Sequence, residues 1–207
     1  MNIEVLDSAQ QGILPGLAEA FRETTLYMAG GTALALQVGH RPSVDFDWFG
    51  SRICEPETLY RRLQDAGLEY VVLSESFETI YVEVEGVQVS IIGYRYPLLS
   101  PFNRWREYDL RLAGLDDIAC MKLSAIANRG SRKDFIDLHY LVCRFRTLKD
   151  YLELFRKKFR QQDVGHVVRS LVYFEDADKE PEIDLYFPLD WQNLKHDFES
   201  WIRQLSG

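Results

Sequence analysis

Cysteine is scarce in this chain of 207 residues: Cys54, Cys120 and Cys143 are odd in number, widely spaced and set among apolar neighbours. That excludes a disulfide framework and supplies no zinc-ligand spacing, so all three read as small buried hydrophobes. Long apolar runs are missing too. Nothing approaches the roughly 18 consecutive apolar residues that cross a bilayer, and the opening MNIEVLDSAQQG has neither the basic start nor the apolar stretch of a signal peptide. A cytoplasmic protein without membrane association is the expectation. There is no internal repeat or low-complexity tract. Histidine is limited to four: His40 adjoins Arg41 and is a candidate for substrate contact, whereas His139, His166 and His196 are isolated and read as surface or structural residues.

A positive net charge is also lacking. The chain carries −8 at pH 7, which argues against a wholly basic nucleic-acid binder. The distribution is uneven, however. Between Met121 and Arg160 eleven basic residues stand against four acidic ones, a local +7 that leaves −15 on the remainder. One segment is thus able to face a polyanion, although solvated helix surfaces account for such charges more simply.

What is present is enough apolar material, 46% of residues, for one good core or a domain with a smaller appendage. SAQQGILPGLAEAFRE reads as an opening helix with an irregularity at Pro15-Gly16, and TTLYMAG as a short strand ending in a glycine pair. TALALQVG supports about two turns of helix closed by Gly39. In SVDFDWF, Asp45 and Asp47 share one face of a strand and Val44, Phe46 and Trp48 the other. PETLYRRLQDAG is an amphipathic helix with Pro56 at its start. LEYVVL, ETIYVEVEG and VQVSIIGY follow as strands, the last two forming a hairpin around Glu85-Gly86, and LRLAG is a candidate edge strand. Beyond it the patterns are helical: Asp116 to Asn128, Ser131 to Phe145, Leu148 to Arg160, Val164 to Phe174, then a polar linker EDADKEPEID and a last helix carrying Trp191, Leu194, Phe198 and Trp201. The fold class is α+β, with a mixed-sheet core over residues 1–112 and a helical region over 113–207.

Two features carry chemistry. Gly30-Gly31-Thr32 lies between a predicted strand and a predicted helix, where glycine backbone and a helix N-terminus are suited to a triphosphate; a plain turn with a capping Thr is the simpler account of the glycines alone. Asp45 and Asp47, at i and i+2 on a strand, project side by side and suit a hard cation bridging to phosphate oxygens. Aspartate is disfavoured in strands, and two of them among Val44, Phe46 and Trp48 call for a ligand. Further on, Gly130-Ser131 reads as a helix stop and a new N-cap, and Ser131 with Asp134 resembles a capping box. Asp137, one turn later, is placed to pair with Lys133 or Arg129. Lys122, between Met121 and Leu123, needs an exposed face or an anionic partner.

The ordered set GGTALAL, HRPSVDFDWF and DDIACMKLSAIANRGSRKDFIDLHYL resembles the AbiEii/AbiGii toxin family of nucleotidyltransferases, within the DNA polymerase beta-like superfamily, and the resemblance extends over most of the chain. It implies that Gly30, Gly31 and Thr32 position nucleotide phosphates and that Asp45 and Asp47 bind Mg²⁺ or Mn²⁺. Arg41 and Ser43 fall in the segment before that pair, as phosphate contacts or loop organisers. Lys122 matches a helical lysine that reaches the nucleotide, and Lys133, Asp134 and Asp137 match a block near the active site, with Asp134 a further candidate for catalysis. The implied activity moves a nucleoside monophosphate from a triphosphate to an acceptor, an RNA and in particular a tRNA end. The implied role is the toxin of a toxin–antitoxin or phage-defence pair, with a cognate antitoxin as partner.

One departure stands out. Enzymes of the wider superfamily place another carboxylate on a strand after the pair, and here Ser90 occupies the natural position, with Glu83, Glu85 or Asp134 as substitutes. The alternative implied by Ser90 is a weak or inactive nucleotide-binding protein acting through a partner. A metal-dependent nuclease uses similar carboxylates but leaves the glycine turn and Lys122 without a task.

Overall fold

Asp7 caps the first long helix: its carboxylate accepts the Gln10 N–H while the Gln10 side chain accepts the Asp7 N–H. That helix, α1 (Ser8–Phe21), runs on through Pro15. The computed structural model describes residues 1–205. Its remaining elements are β1 (Tyr27–Ala29), α2 (Gly30–Val38), β2 (Phe46–Gly50), α3 (Pro56–Asp65), β3 (Tyr70–Ser76), β4 (Thr79–Val84), β5 (Val87–Gly93), β6 (Asn103–Trp105), β7 (Leu110–Leu112), α4 (Leu115–Asn128), α5 (Arg132–Arg144), α6 (Leu148–Phe159), α7 (Gly165–Ser170) and α8 (Trp191–Leu205). The described residues divide into two compact units, one of residues 1–96 and 101–113, the other of residues 97–100 and 114–205.

The first unit holds a seven-stranded mixed sheet in the order β3-β4-β5-β2-β1-β7-β6. β2 pairs parallel with β5 and antiparallel with β1, so the strand carrying Asp47 lies inside the sheet. Burial alternates along β2: Phe46 and Trp48 are buried while Asp47 is half-buried, the period of two that separates strand faces. Trp48 packs edge-on against Phe21, with ring centroids 4.6 Å apart. Val44, expected on that apolar face, is 67% exposed because the strand begins only at Phe46. Nor is LRLAG an edge: β7 pairs parallel with β1 on one side and antiparallel with β6 on the other, and β6 ends the sheet.

The second unit is helical, with α4 packed against α5, α6 and α7 and α5 against α8. Phe198 and Leu194 are fully buried on the inner stripe of α8, and Phe135, Phe174 and Trp201 surround Phe198. An ion pair with no exposed surface ties the segment between β5 and β6 into this unit. Lys158 Nζ lies 2.6 Å from Asp117 Oδ1 and donates to the Pro97 carbonyl, while the Asp117 carboxylate accepts the N–H groups of Leu99 and Ser100. The helix expected over Val164–Phe174 is regular only over α7, and the polar linker after it contains a 3-10 turn, Ala177–Lys179, with Ala177 fully buried. Of the cysteines only Cys120 is buried; Cys54 is half-buried and Cys143 exposed. Burial pushes the Cys120 thiol up to about 12. Together the sheet and the helices make the α+β architecture expected from the strand-then-helix order.

Candidate active site

In the first unit the site is built on the turn from β1 into α2. Gly30 has φ of +72°, a left-handed conformation that costs an L side chain roughly 1 kcal/mol or more. Space is a second constraint, since a Cβ on Gly30 would collide with Asp47 Oδ2. The glycine therefore lets the first turn of α2 come against the Asp47 carboxylate. Gly30, Gly31 and Thr32 form that first turn, whose N–H groups have no partner within the helix, and the partial positive charge there suits an anion. The cap residue is Ala29, so Thr32 is not the cap that a plain turn called for.

Thr32 is instead a buried organiser. Its hydroxyl lies 2.7 Å from that of Ser43 and donates to the Asp45 carbonyl. Ser43 N–H donates to the Val5 carbonyl at 3.1 Å, and Arg41, 4% exposed, donates to the Pro42 carbonyl at 2.9 Å. The loop from Gly39 to Asp45 is thus fixed at several points before it enters β2. His40 is buried beside it, 1% exposed. These contacts set the backbone of Asp45, which stands just before β2 and two residues ahead of Asp47.

The register explains what stands beside them. Asp47 is opposite Ala29 on β1 and opposite Ser90 on β5, and Ser90 is opposite Tyr81 on β4. Ser90, 3% exposed, therefore occupies the neighbouring position to Asp47, about 5 Å away across the strands. Glu83 is opposite Gln88, and β4 is separated from β2 by β5, which puts the Glu83 backbone about 10 Å from β2. Glu85 lies in the β4–β5 turn. No group of three or more His, Cys, Asp or Glu side chains able to hold a metal is formed among the described residues. The donor set fits a hard cation all the same. Two carboxylates suffice for Mg²⁺, which keeps waters and takes substrate phosphates for its other positions.

In the second unit the residues of the second motif converge on Lys122. Its Nζ, on α4, lies 2.8 Å from Asp134 Oδ1 and 2.6 Å from Asp137 Oδ2, both on α5. Arg129 grips the same Asp134 from the exposed side, Nε to Oδ2 at 2.9 Å and NH2 to Oδ1 at 3.2 Å. Both carboxylates are fully buried and the lysine side chain is 5% exposed, whereas that of Arg129 is 59% exposed. Burial pushes the Asp134 carboxyl up, but the Lys122 charge and the Arg129 hydrogen bond outweigh it and hold the group below the ordinary carboxylate range. Lys133 is half-buried in the first turn of α5. The capping box does not form: the Ser131 hydroxyl donates to Glu180, which also accepts the Arg132 N–H.

The model of the nucleotidyl transferase AbiEii toxin family, of type IV toxin–antitoxin systems, matches residues 12–202. The chain belongs to the AbiEii family. It is accordingly a nucleotidyltransferase with a nucleotide as substrate. An uncharacterised protein of Aquifex aeolicus strain VF5 is 38% identical to this AbiEii chain over 183 residues, 86% of either sequence. Two solved structures share the fold. MenT4, a nucleotidyltransferase toxin of Mycobacterium tuberculosis H37Rv, superposes with a TM-score of 0.62 at 16% identity, covering 93% of this chain and 81% of its own. A candidate nucleotidyltransferase of H. pylori gives 0.60 at 16% identity, covering 95% and 92%.

Of the candidate site residues of this AbiEii chain, Gly30, Gly31, Thr32, Arg41, Ser43, Asp45 and Asp47 lie in the first unit, and Lys122, Lys133, Asp134 and Asp137 in the second. What sequence reading missed is the partner of each buried group. Asp137 pairs with Lys122 from the neighbouring helix, beyond the reach of an i to i+4 rule. His139, 5% exposed, joins Asp197 at 2.8 Å across 58 residues of sequence. No local signal marks either pair.

Proposed function

We propose that this protein is a Mg²⁺-dependent nucleotidyltransferase, acting in the cytoplasm, that transfers a nucleoside monophosphate from a triphosphate to a hydroxyl of an RNA acceptor such as a tRNA end. We propose further that it is a toxin held in check by a cognate antitoxin. The observation that carries the reading is Gly30, whose backbone conformation and missing Cβ put the first turn of α2 against Asp47.

The roles divide by what each residue offers. The N–H groups of Gly30, Gly31 and Thr32 receive the triphosphate at the helix N-terminus, where charge and donors coincide. Asp45 and Asp47 hold the cation, which when bound neutralises phosphate charge. Thr32, Ser43 and Arg41 are positioning residues, fixing the loop that aims Asp45. Lys122, Asp134 and Asp137 form a neutralised cluster, completed by Arg129, that fixes α4 on α5 and carries Lys133 at its edge. The acceptor oxygen bonds to the α-phosphorus as the bond to the bridging oxygen of pyrophosphate breaks, and the hydroxyl proton passes to solvent or a nearby carboxylate. Positioning and charge neutralisation supply most of the acceleration.

A second reading is favoured by Ser90, which leaves the position next to Asp47 without a carboxylate: nucleotide binding with slow turnover. One experiment separates the two. Purified protein is incubated with Mg²⁺, each α-labelled triphosphate and total RNA, beside Asp45→Ala. Label on RNA with stoichiometric pyrophosphate, lost in the variant, supports transfer; triphosphate bound but not consumed supports the second reading.

A further inference from the structure

A cavity of about 440 Å³ opens in the second unit where the end of α4 approaches α7, and nothing above assigns it a ligand. Its walls combine two chemistries. Arg129, His166 and Arg169 bring positive or protonatable groups, and Ile126 and Tyr173 bring apolar and aromatic surface. The single carboxylate of the lining, Asp176, is countered by Lys179 at 3.1 Å. Arg169 is exposed and forms no side-chain ion pair or hydrogen bond among the described residues. Tyr173 is 50% exposed, and its hydroxyl donates to Glu175 at 3.1 Å, which restrains the ring at the cavity.

Guanidinium groups recognise phosphate through paired N–H donors, and an exposed tyrosine ring offers a face on which any nucleobase stacks. The volume suits one small ligand. An inorganic anion would leave the ring without a role, and an apolar peptide would leave the arginines without one. Arg129 also links this cavity to the buried Lys122 cluster through its two bonds to Asp134.

We propose that this cavity binds one nucleotide unit of the acceptor strand, its base on Tyr173 and its phosphate on Arg169. The assignment deepens the function proposed above and rests on it. The site is distinct in composition from the glycine turn and the aspartate pair, so the two are separable by experiment.

Anisotropy of a labelled short single-stranded RNA, titrated with the full chain in the absence of Mg²⁺ and triphosphate, tests it. Arg169→Glu and Tyr173→Ala are each expected to weaken binding about tenfold, Tyr173→Phe to restore it, and Arg203→Glu, an equal charge change on α8, to leave it within about twofold. Loss of affinity in Arg203→Glu equal to that in Arg169→Glu, or unchanged affinity in both cavity variants, overturns the proposal. AMP, CMP and inorganic phosphate are added as competitors. Displacement of RNA by AMP or CMP and not by phosphate supports a nucleotide site. Tight, Arg169-dependent AMP binding that RNA fails to displace overturns the assignment to a strand and makes the occupant a free nucleotide. RNA binding that depends on Arg169 in a protein without transfer activity overturns the proposed function and leaves the cavity assignment standing. Transfer activity with no such dependence does the reverse.

Discussion

At Gly30 one missing methyl group serves two purposes, a left-handed φ and a close approach to Asp47. Gly30→Ala is therefore expected to lower nucleotidyl transfer on the order of a hundredfold, the cost of displacing a reacting group by about 1 Å, while unfolding by urea shows a loss of only about 1–2 kcal/mol. A large fall in stability with unchanged turnover per folded molecule would show that the glycine serves folding alone. Thr32 makes the opposite prediction. Its hydroxyl joins Ser43 and the Asp45 carbonyl in a buried place, and Thr32→Val is expected to cost about 1–3 kcal/mol because both partners lose a hydrogen bond. The contribution of Ser90 is testable by Ser90→Asp, which adds a carboxylate beside Asp47. It is expected to lower the Mg²⁺ concentration for half-maximal transfer on the order of tenfold, since affinity rises with ligand charge.

Between elements, the decisive contact is α4 on α5. Lys122 lies within 2.8 Å of two fully buried carboxylates, so Lys122→Met strands uncompensated charge and is expected to cost about 3–5 kcal/mol, read from urea midpoints. Converting Asp134 and Asp137 to Asn in the same chain is expected to return most of that loss. The pair also sets a pH dependence. Asp134 has a folded value held below the ordinary one near 3.9, so its stabilisation is complete above that pH and drains away as pH falls toward the folded value. The wild-type urea midpoint should fall below about pH 4, and Asp134→Asn, lower to begin with, should fall less steeply there. This level also marks where sequence reading stopped. Helices α3, α6 and α8 were legible from their amphipathic spacing, and β4 and β5 from alternation around Glu85-Gly86. The Lys122 partners, the Ser131 bond to Glu180 and the placement of β7 inside the sheet depend on pairings across many residues, for which a single sequence holds no periodic signal.

For the molecule as a whole, the sequence disclosed the α+β class and the family, because the glycine turn and the aspartate pair occur in order with the second motif. The charge map was less legible. Of the basic residues behind the local +7, Lys122 and Lys158 are buried in ion pairs and Arg146 is bound to Asp116, so the charge offered to a polyanion is smaller than the count implied. RNA binding should accordingly be salt-dependent but modestly so, a log–log slope near −2 if about three phosphates are contacted. The proposed transfer of a nucleoside monophosphate onto RNA depends on Asp45 and Asp47 beside the first turn of α2. The most direct measurement is the intact mass of the RNA after incubation with protein, Mg²⁺ and triphosphates. A gain of one or more nucleoside monophosphates with wild-type protein and none with Asp45→Ala is the expected result; RNA of unchanged or reduced mass with both proteins would contradict it.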